Sequence, residues 1–93
     1  MKNEFEIKKF LAVISQPVRL KIIKGLKKSC CAGQVWQCLN LPQNLISHHL
    51  KVLKNAKLVK STRQGKMIIY CLDKKVLSRK LKILNKYLNN DKF

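Results

Sequence analysis

Pro42-Gln43-Asn44-Leu45-Ile46-Ser47-His48-His49-Leu50-Lys51-Val52-Leu53-Lys54 is the stretch whose reading decides the fold. At helical spacing, Ile46, Leu50 and Leu53 fall at i, i+4 and i+7 and form an apolar stripe. Asn44, Ser47, His48 and Lys51 fall at i, i+3, i+4 and i+7 on another face. That second face is neutral and hydrogen-bonding in its middle and positive toward its end. Amides, hydroxyls and imidazoles in such an array can meet base edges in a major groove, whereas a solvated helix face is the plain alternative.

The flanks favour the groove. Upstream, Ala32 to Leu39 reads as a helix carrying Val35, Trp36 and Leu39 inward, and Asn40-Leu41-Pro42 as a tight turn. Two short helices separated by that turn make a helix-turn-helix, about 32–55. Downstream, the apolar period changes from 3.6 to 2. Leu58-Val59-Lys60-Ser61-Thr62-Arg63 and Lys66-Met67-Ile68-Ile69-Tyr70-Cys71-Leu72 read as strands of a hairpin, about 58–72, with Gly65 supplying a positive φ at its tip. A basic hairpin directly after a helix-turn-helix is a wing. The fold class expected is therefore mainly α with a small β-hairpin, a winged helix-turn-helix with the order helix, helix, helix, helix, strand, strand, helix.

Two helices lead into this unit and one follows it. About Glu4 to Ile14 reads as the first, with Ile7, Phe10, Leu11 and Ile14 on one side and Glu4 and Glu6 in its first turn. Pro17 starts the second, which runs to about Lys27 with Val18, Ile22, Ile23 and Leu26 inward and Arg19, Lys21 and Lys24 on a basic face. The last helix, about 75–88, carries Leu77, Leu81, Leu84 and Leu88 in a coiled-coil-like seam widened by Val76, Ile83 and Tyr87. So apolar a helix at the end of a small domain needs more cover than one protomer offers. Dimerisation through the first and last helices is the expectation.

The 93 residues make one domain, 1–93, and its net charge is +17. From Ile7 to Leu72 there is no Asp or Glu. Uncompensated charge on a compact fold is self-repulsive, so a polyanionic partner is the economical explanation. Double-stranded DNA fits the folded pattern. A membrane surface does not, because the charge is spread through that pattern and no apolar run approaches a spanning length. An enzyme is a distant third reading, for want of a Ser/His/Asp set, paired carboxylates or a Gly-rich phosphate loop. A non-specific structural nucleic-acid protein remains the competing class. The few aromatics mostly fall on apolar faces and give no base-stacking platform. Met1-Lys2-Asn3-Glu4 reads as a cytoplasmic start, and the four cysteines (Cys30, Cys31, Cys38, Cys71) as reduced thiols.

Ser15-Gln16-Pro17-Val18-Arg19-Leu20, Leu41 to Leu53, Leu58-Val59 and Gln64-Gly65-Lys66, in this order, resemble the ArsR/SmtB family of winged-helix repressors over roughly residues 8 to 75. The resemblance implies a homodimeric, cytoplasmic DNA-binding repressor that reads an imperfect inverted repeat and releases it when an inducer binds. It places Gln43, Asn44, Ser47 and His48 against bases, with Asn44 standing where the family often has proline. Lys51, Lys54, Arg63 and Lys66 would meet phosphate or the minor-groove edge. For each of these eight, a solubilising surface role is the alternative. His49 lies off this face and is expected to be packed and hydrogen-bonded.

The inducer is less legible. In the family's thiolate metal site, Cys31 matches one position, but Gly33 and Trp36 stand where further cysteines belong. Cys38 is about 10 Å farther along a helix, too distant to share an ion, and suits core packing. The family's His/carboxylate site on the last helix has no counterpart, so no metal ligand set or cofactor is expected, with arsenite or another thiophilic ion left open. Cys30 and Cys31, read as a helix N-terminus beside Lys27 and Lys28, have the surroundings of reactive thiolates. Cys30 also matches one of two cysteines in the family's persulfide and redox sensors, whose second cysteine this last helix lacks. Thiol chemistry at Cys30/Cys31 (oxidant, persulfide or arsenite) ranks first, an inducer-free repressor second and a divalent metal third.

Overall fold

The computed structural model describes residues 2–32 and 40–90, and its elements follow the change of sequence period at residue 58. Two helices come first, α1 (Lys2–Ile14) and α2 (Pro17–Lys28). Pro17 is suited to a first turn, where its missing N–H costs no helical bond, and the Gln16 carbonyl accepts from the N–H groups of Arg19 and Leu20. Then come β1 (Cys31–Ala32), α3 (Gln43–Asn55), β2 (Val59–Gln64), β3 (Met67–Leu72) and α4 (Lys74–Leu88). The helix expected over 32–39 lies outside the described residues apart from Ala32. That residue belongs to β1, not to a helix start.

The sheet is antiparallel in the order β1-β3-β2. The expected hairpin is its larger part: Val59 pairs with Leu72 at the base and Gln64 with Met67 at the tip, where Gly65 turns the chain at φ +62°. The third strand goes beyond the expected hairpin. Two residues are too few to show a period, and Cys31 and Ala32 are drawn into the sheet by pairing with Tyr70 and Ile69.

The core sits where α2, α3 and the base of the hairpin meet. Ile22, Leu26, Ile46, Leu53, Leu58 and Val59 are its most deeply buried side chains, with Phe10 of α1 and Leu72 of β3 beside them. The join from α3 to β2 is a Schellman motif without glycine. Leu58 N–H reaches the Leu53 carbonyl and Lys57 N–H the Lys54 carbonyl, while Lys57 takes φ +67°. The two leucines closing the motif are both buried, which offsets the cost of a side chain in a left-handed conformation. This turn sets the angle between α3 and the wing.

At the other end of the hairpin, Asp73 caps α4 by accepting from Val76 N–H, and its carboxylate meets Lys60 Nζ at 3.3 Å. These bonds hold the Asp73 carboxyl below its ordinary range, with the Val76 N–H the largest influence. α4 then runs back along α1, where Lys80 lies 4.0 Å from Glu6.

Candidate nucleic-acid interface

The candidate interface is built on α3. Ile46, His49, Leu50 and Leu53 face the core, and the opposite side of the helix, bearing Asn44, Ser47, His48 and Lys51, is exposed. Gln43 and Lys54 are exposed at its two ends. The expected reading face is therefore free because the helix's other side is anchored. Ser47 Oγ donates to the Gln43 carbonyl, so the hydroxyl's lone pairs remain as acceptors. Pro42 gives α3 no side-chain cap, and no acidic residue stands in its first turn, so the positive end of the helix dipole is uncompensated.

The wing adds a second basic surface. Arg63 and Lys66 are exposed on either side of Gly65, and Arg63 Nε donates to the Gly65 carbonyl, which braces the tip. All eight sequence-predicted contact residues are thus exposed, on two elements joined by the Schellman turn. Among the described residues the ion pairs are Lys60–Asp73 and Lys80–Glu6, so neither occupies a cation of the reading face or the wing tip.

Comparison with known proteins agrees with this geometry. The family model for bacterial regulatory proteins of the arsR family matches residues 16–61, which span α2 to the first residues of the wing. The transcriptional repressor SdpR of Bacillus subtilis is 35% identical over 77 residues, covering 82% of this chain and 86% of that protein. The chain belongs to the ArsR family. It is also 38% identical over 63 residues to the HTH-type transcriptional repressor SmtB of Mycobacterium tuberculosis, covering 67% of this chain but only 47% of that longer protein. An ArsR-like transcriptional regulator from Rhodococcus superposes with a TM-score of 0.81, 22% identity and coverage of 94% of this chain and 83% of that one, a likeness of fold.

This ArsR-family chain is accordingly a DNA-binding transcriptional repressor, not an enzyme. Among its described residues no helix is long and apolar enough to cross a membrane, and no group of three or more His, Cys, Asp or Glu could hold a metal ion.

The structure corrects the reading of the cysteines. They are not all reduced: Cys30 and Cys71 form a disulfide with their Cα atoms 4.5 Å apart. Nor do Cys30 and Cys31 stand at a helix N-terminus, because α2 ends at Lys28 and Cys31 begins β1. Antiparallel pairing of Cys31 with Tyr70 brings the preceding residue beside Cys71, which sequence spacing across 41 residues could not reveal. Cys38 lies outside the described residues.

His49 is packed as expected, at 8% exposure, and its partner is one that sequence reasoning misses. Arg19 Nε donates to His49 Nδ1 at 3.1 Å. Arg19 therefore does not belong to the solvated basic face of α2. A signal is present in the sequence, since Arg19, Ile22 or Ile23, and Leu26 stand at i, i+3 or i+4, and i+7, which puts Arg19 on the apolar stripe of α2.

Proposed function

We propose that this repressor binds an imperfect inverted-repeat operator as a homodimer, each protomer laying α3 in a major groove. Gln43, Asn44, Ser47 and His48 face bases; Lys51, Lys54, Arg63 and Lys66 meet phosphates or the minor-groove edge. The observation that carries this reading is the two-sided character of α3, with its core-facing stripe buried and its polar face wholly exposed. Base readout needs that arrangement, whereas a non-specific coat needs only charge.

A second copy is supported by what one protomer leaves uncovered. No residue of α4 is fully buried; Leu81 is 46% and Leu88 70% exposed, and Phe5 on α1 is 60% exposed. The radius of gyration is 14.5 Å, against about 12.3 Å for a closed domain of this length. An inverted-repeat operator then requires the two copies of α3 to lie about one helical turn of DNA apart, roughly 34–36 Å.

The proposed inducer chemistry is thiol oxidation, relocated to Cys30 and Cys71. The structure holds the pair oxidised; a reducing cytoplasm opens that bond to two thiols, and the oxidised form is the one released from DNA. A peroxide takes two electrons and two protons from the thiols: one S–S bond forms, the O–O bond breaks, and hydrogen peroxide leaves as two waters or an alkyl hydroperoxide as one alcohol and one water. The bond ties the segment before the helix-turn-helix to the wing strand. It thereby restrains the two DNA-facing elements in one pose, and release on oxidation follows if operator binding requires their adjustment.

The test is electrophoretic mobility shift with DNA that the protein enriches from genomic fragments, against random duplex, single-stranded DNA and RNA at moderate salt. Preference for the enriched duplex and a dimer mass support the operator reading; equal affinity throughout would favour a non-specific coat. Peroxide should weaken operator binding in the wild type and in Cys31→Ser, but not in Cys30→Ser or Cys71→Ser. Unchanged wild-type affinity after peroxide, arsenite or persulfide would leave a repressor without a thiol inducer.

A further inference from the structure

One side chain joins the three helices behind the reading face. Arg19, half-buried on α2, donates through Nε to His49 Nδ1 on α3 at 3.1 Å. Its Nη1 donates to the carbonyls of Val13 at 3.1 Å and Ala12 at 3.5 Å, in the last turn of α1. α1 has no basic residue of its own in that turn. The guanidinium therefore supplies, from the next helix, the cation that a helix C-terminus favours. One planar fork thus grips α1 by its carbonyls and α3 by an imidazole, a division that a lysine ammonium on its flexible stem reproduces poorly.

We propose that Arg19 is a positioning residue for DNA readout, and that specific binding requires His49 in its neutral Nε2–H form as the acceptor of the Arg19 bond. This rests on α3 being the recognition helix. His49 directly follows His48 of the reading face, and the two rings lie edge-on with centroids 5.2 Å apart. Its Nδ1 must carry a lone pair to accept from Arg19. Protonation would turn Nδ1 into a donor and set a second positive charge against the guanidinium. The latch would open, and α3 would lose its hold on α1, the helix proposed to carry the dimer contact. The charged and titratable groups that act on the ring are Arg19 of α2 and His48 of its own helix; α1 adds backbone carbonyls to the Arg19 side of the latch. Burial first, then Arg19, then His48 all favour the neutral ring, so the latch is closed at neutral pH.

Two measurements test this. Ring-nitrogen NMR of histidine-labelled protein without DNA should show His49 as the Nε2–H tautomer, titrating below the ordinary histidine range, with its midpoint raised in Arg19→Gln. A Nδ1–H tautomer would overturn the latch. Anisotropy titrations of operator and random duplex then compare wild type, Arg19→Lys and His49→Asn across mildly acidic to neutral pH. In His49→Asn the amide places its Oδ1 where Nδ1 stood and does not titrate.

Expected is an operator affinity about tenfold lower for Arg19→Lys, the scale of losing a hydrogen bond to a charged group, with random-duplex affinity and salt dependence unchanged. His49→Asn should match wild type at neutral pH yet lack its acid-induced loss of operator affinity. A shallower salt dependence in Arg19→Lys would make Arg19 a phosphate contact. An acid loss retained in His49→Asn would assign the titration elsewhere. Either result overturns the proposal. Wild-type protein that binds operator and random duplex equally would sink the recognition-helix reading instead, and the ring tautomer would still decide the latch.

Discussion

Replacing Lys51 by alanine separates phosphate contact from base readout in a single number. Lys51 is exposed on the polar face of α3, one helical turn beyond Ser47, and neither ion pair among the described residues engages it. If Lys51, Lys54, Arg63 and Lys66 each neutralise one phosphate in both protomers, a dimer releases counterions from about eight, and log K falls with log salt at a slope of roughly −7. Lys51→Ala removes two of those contacts per dimer and should flatten the slope by about 1.8. The gap between wild type and variant should then narrow about twelvefold between roughly 50 and 200 mM salt, on operator and random duplex alike. Fluorescence anisotropy over a salt series measures this, and thermal unfolding should be nearly unchanged because the side chain touches no core. A slope unaltered within about 0.5 would refute phosphate contact by Lys51. A loss confined to the operator would move it among the base-reading residues.

Other outcomes follow from the same structure. Ser47→Ala and His48→Ala should each cost about 1–3 kcal/mol of discrimination against mismatched operators while leaving random-duplex affinity and the salt slope intact, as measured by competition binding. Leu53 has no exposed surface, so Leu53→Ala should lower the unfolding free energy by about 2–5 kcal/mol in urea titration, and a loss below about 1 kcal/mol would deny it a central core position. Lys57 holds φ +67° at the end of α3, so Lys57→Gly should stabilise the fold by about 0.5–1 kcal/mol in the same assay. His49 has a folded-state pKa below its ordinary 6.5, so the unfolded chain takes up the proton first. Its stabilising contribution is complete above 6.5 and shrinks as pH falls from there to the lowered folded value. Denaturation midpoints of wild type and His49→Asn should diverge only across that window. Asp73 is likewise lowered, from 3.8, and its contribution is present above that value and lost as pH falls through the folded one.

Much of the fold was legible because its signals are periodic and local. The apolar stripes of α2 and α3, the change from period 3.6 to period 2 after residue 57, and the proline and glycine at Pro17 and Gly65 each act within a few residues. The exposure of the expected contact residues on α3 was legible for the same reason: a helix with one buried side must present the residues opposite it. The end of α3 was harder. Its left-handed position holds Lys57, not glycine, and is tolerated because Leu53 and Leu58 are buried together on closing the turn. That compensation is tertiary.

Residue order alone carried a basic winged helix, an anchored third helix with a polar outer face, and membership of a repressor family through several ordered motifs. Which side chains act together over long separations emerged only from the folded chain. Cys30 meets Cys71 because Cys31–Ala32 adds a third strand to the wing, and Arg19 meets His49 because α2 packs beneath α3. Both pairings depend on the relative placement of elements, which one-dimensional spacing does not encode. A two-residue strand is set by its partner, and an arginine on an apolar stripe declares its acceptor only once the facing helix is in place.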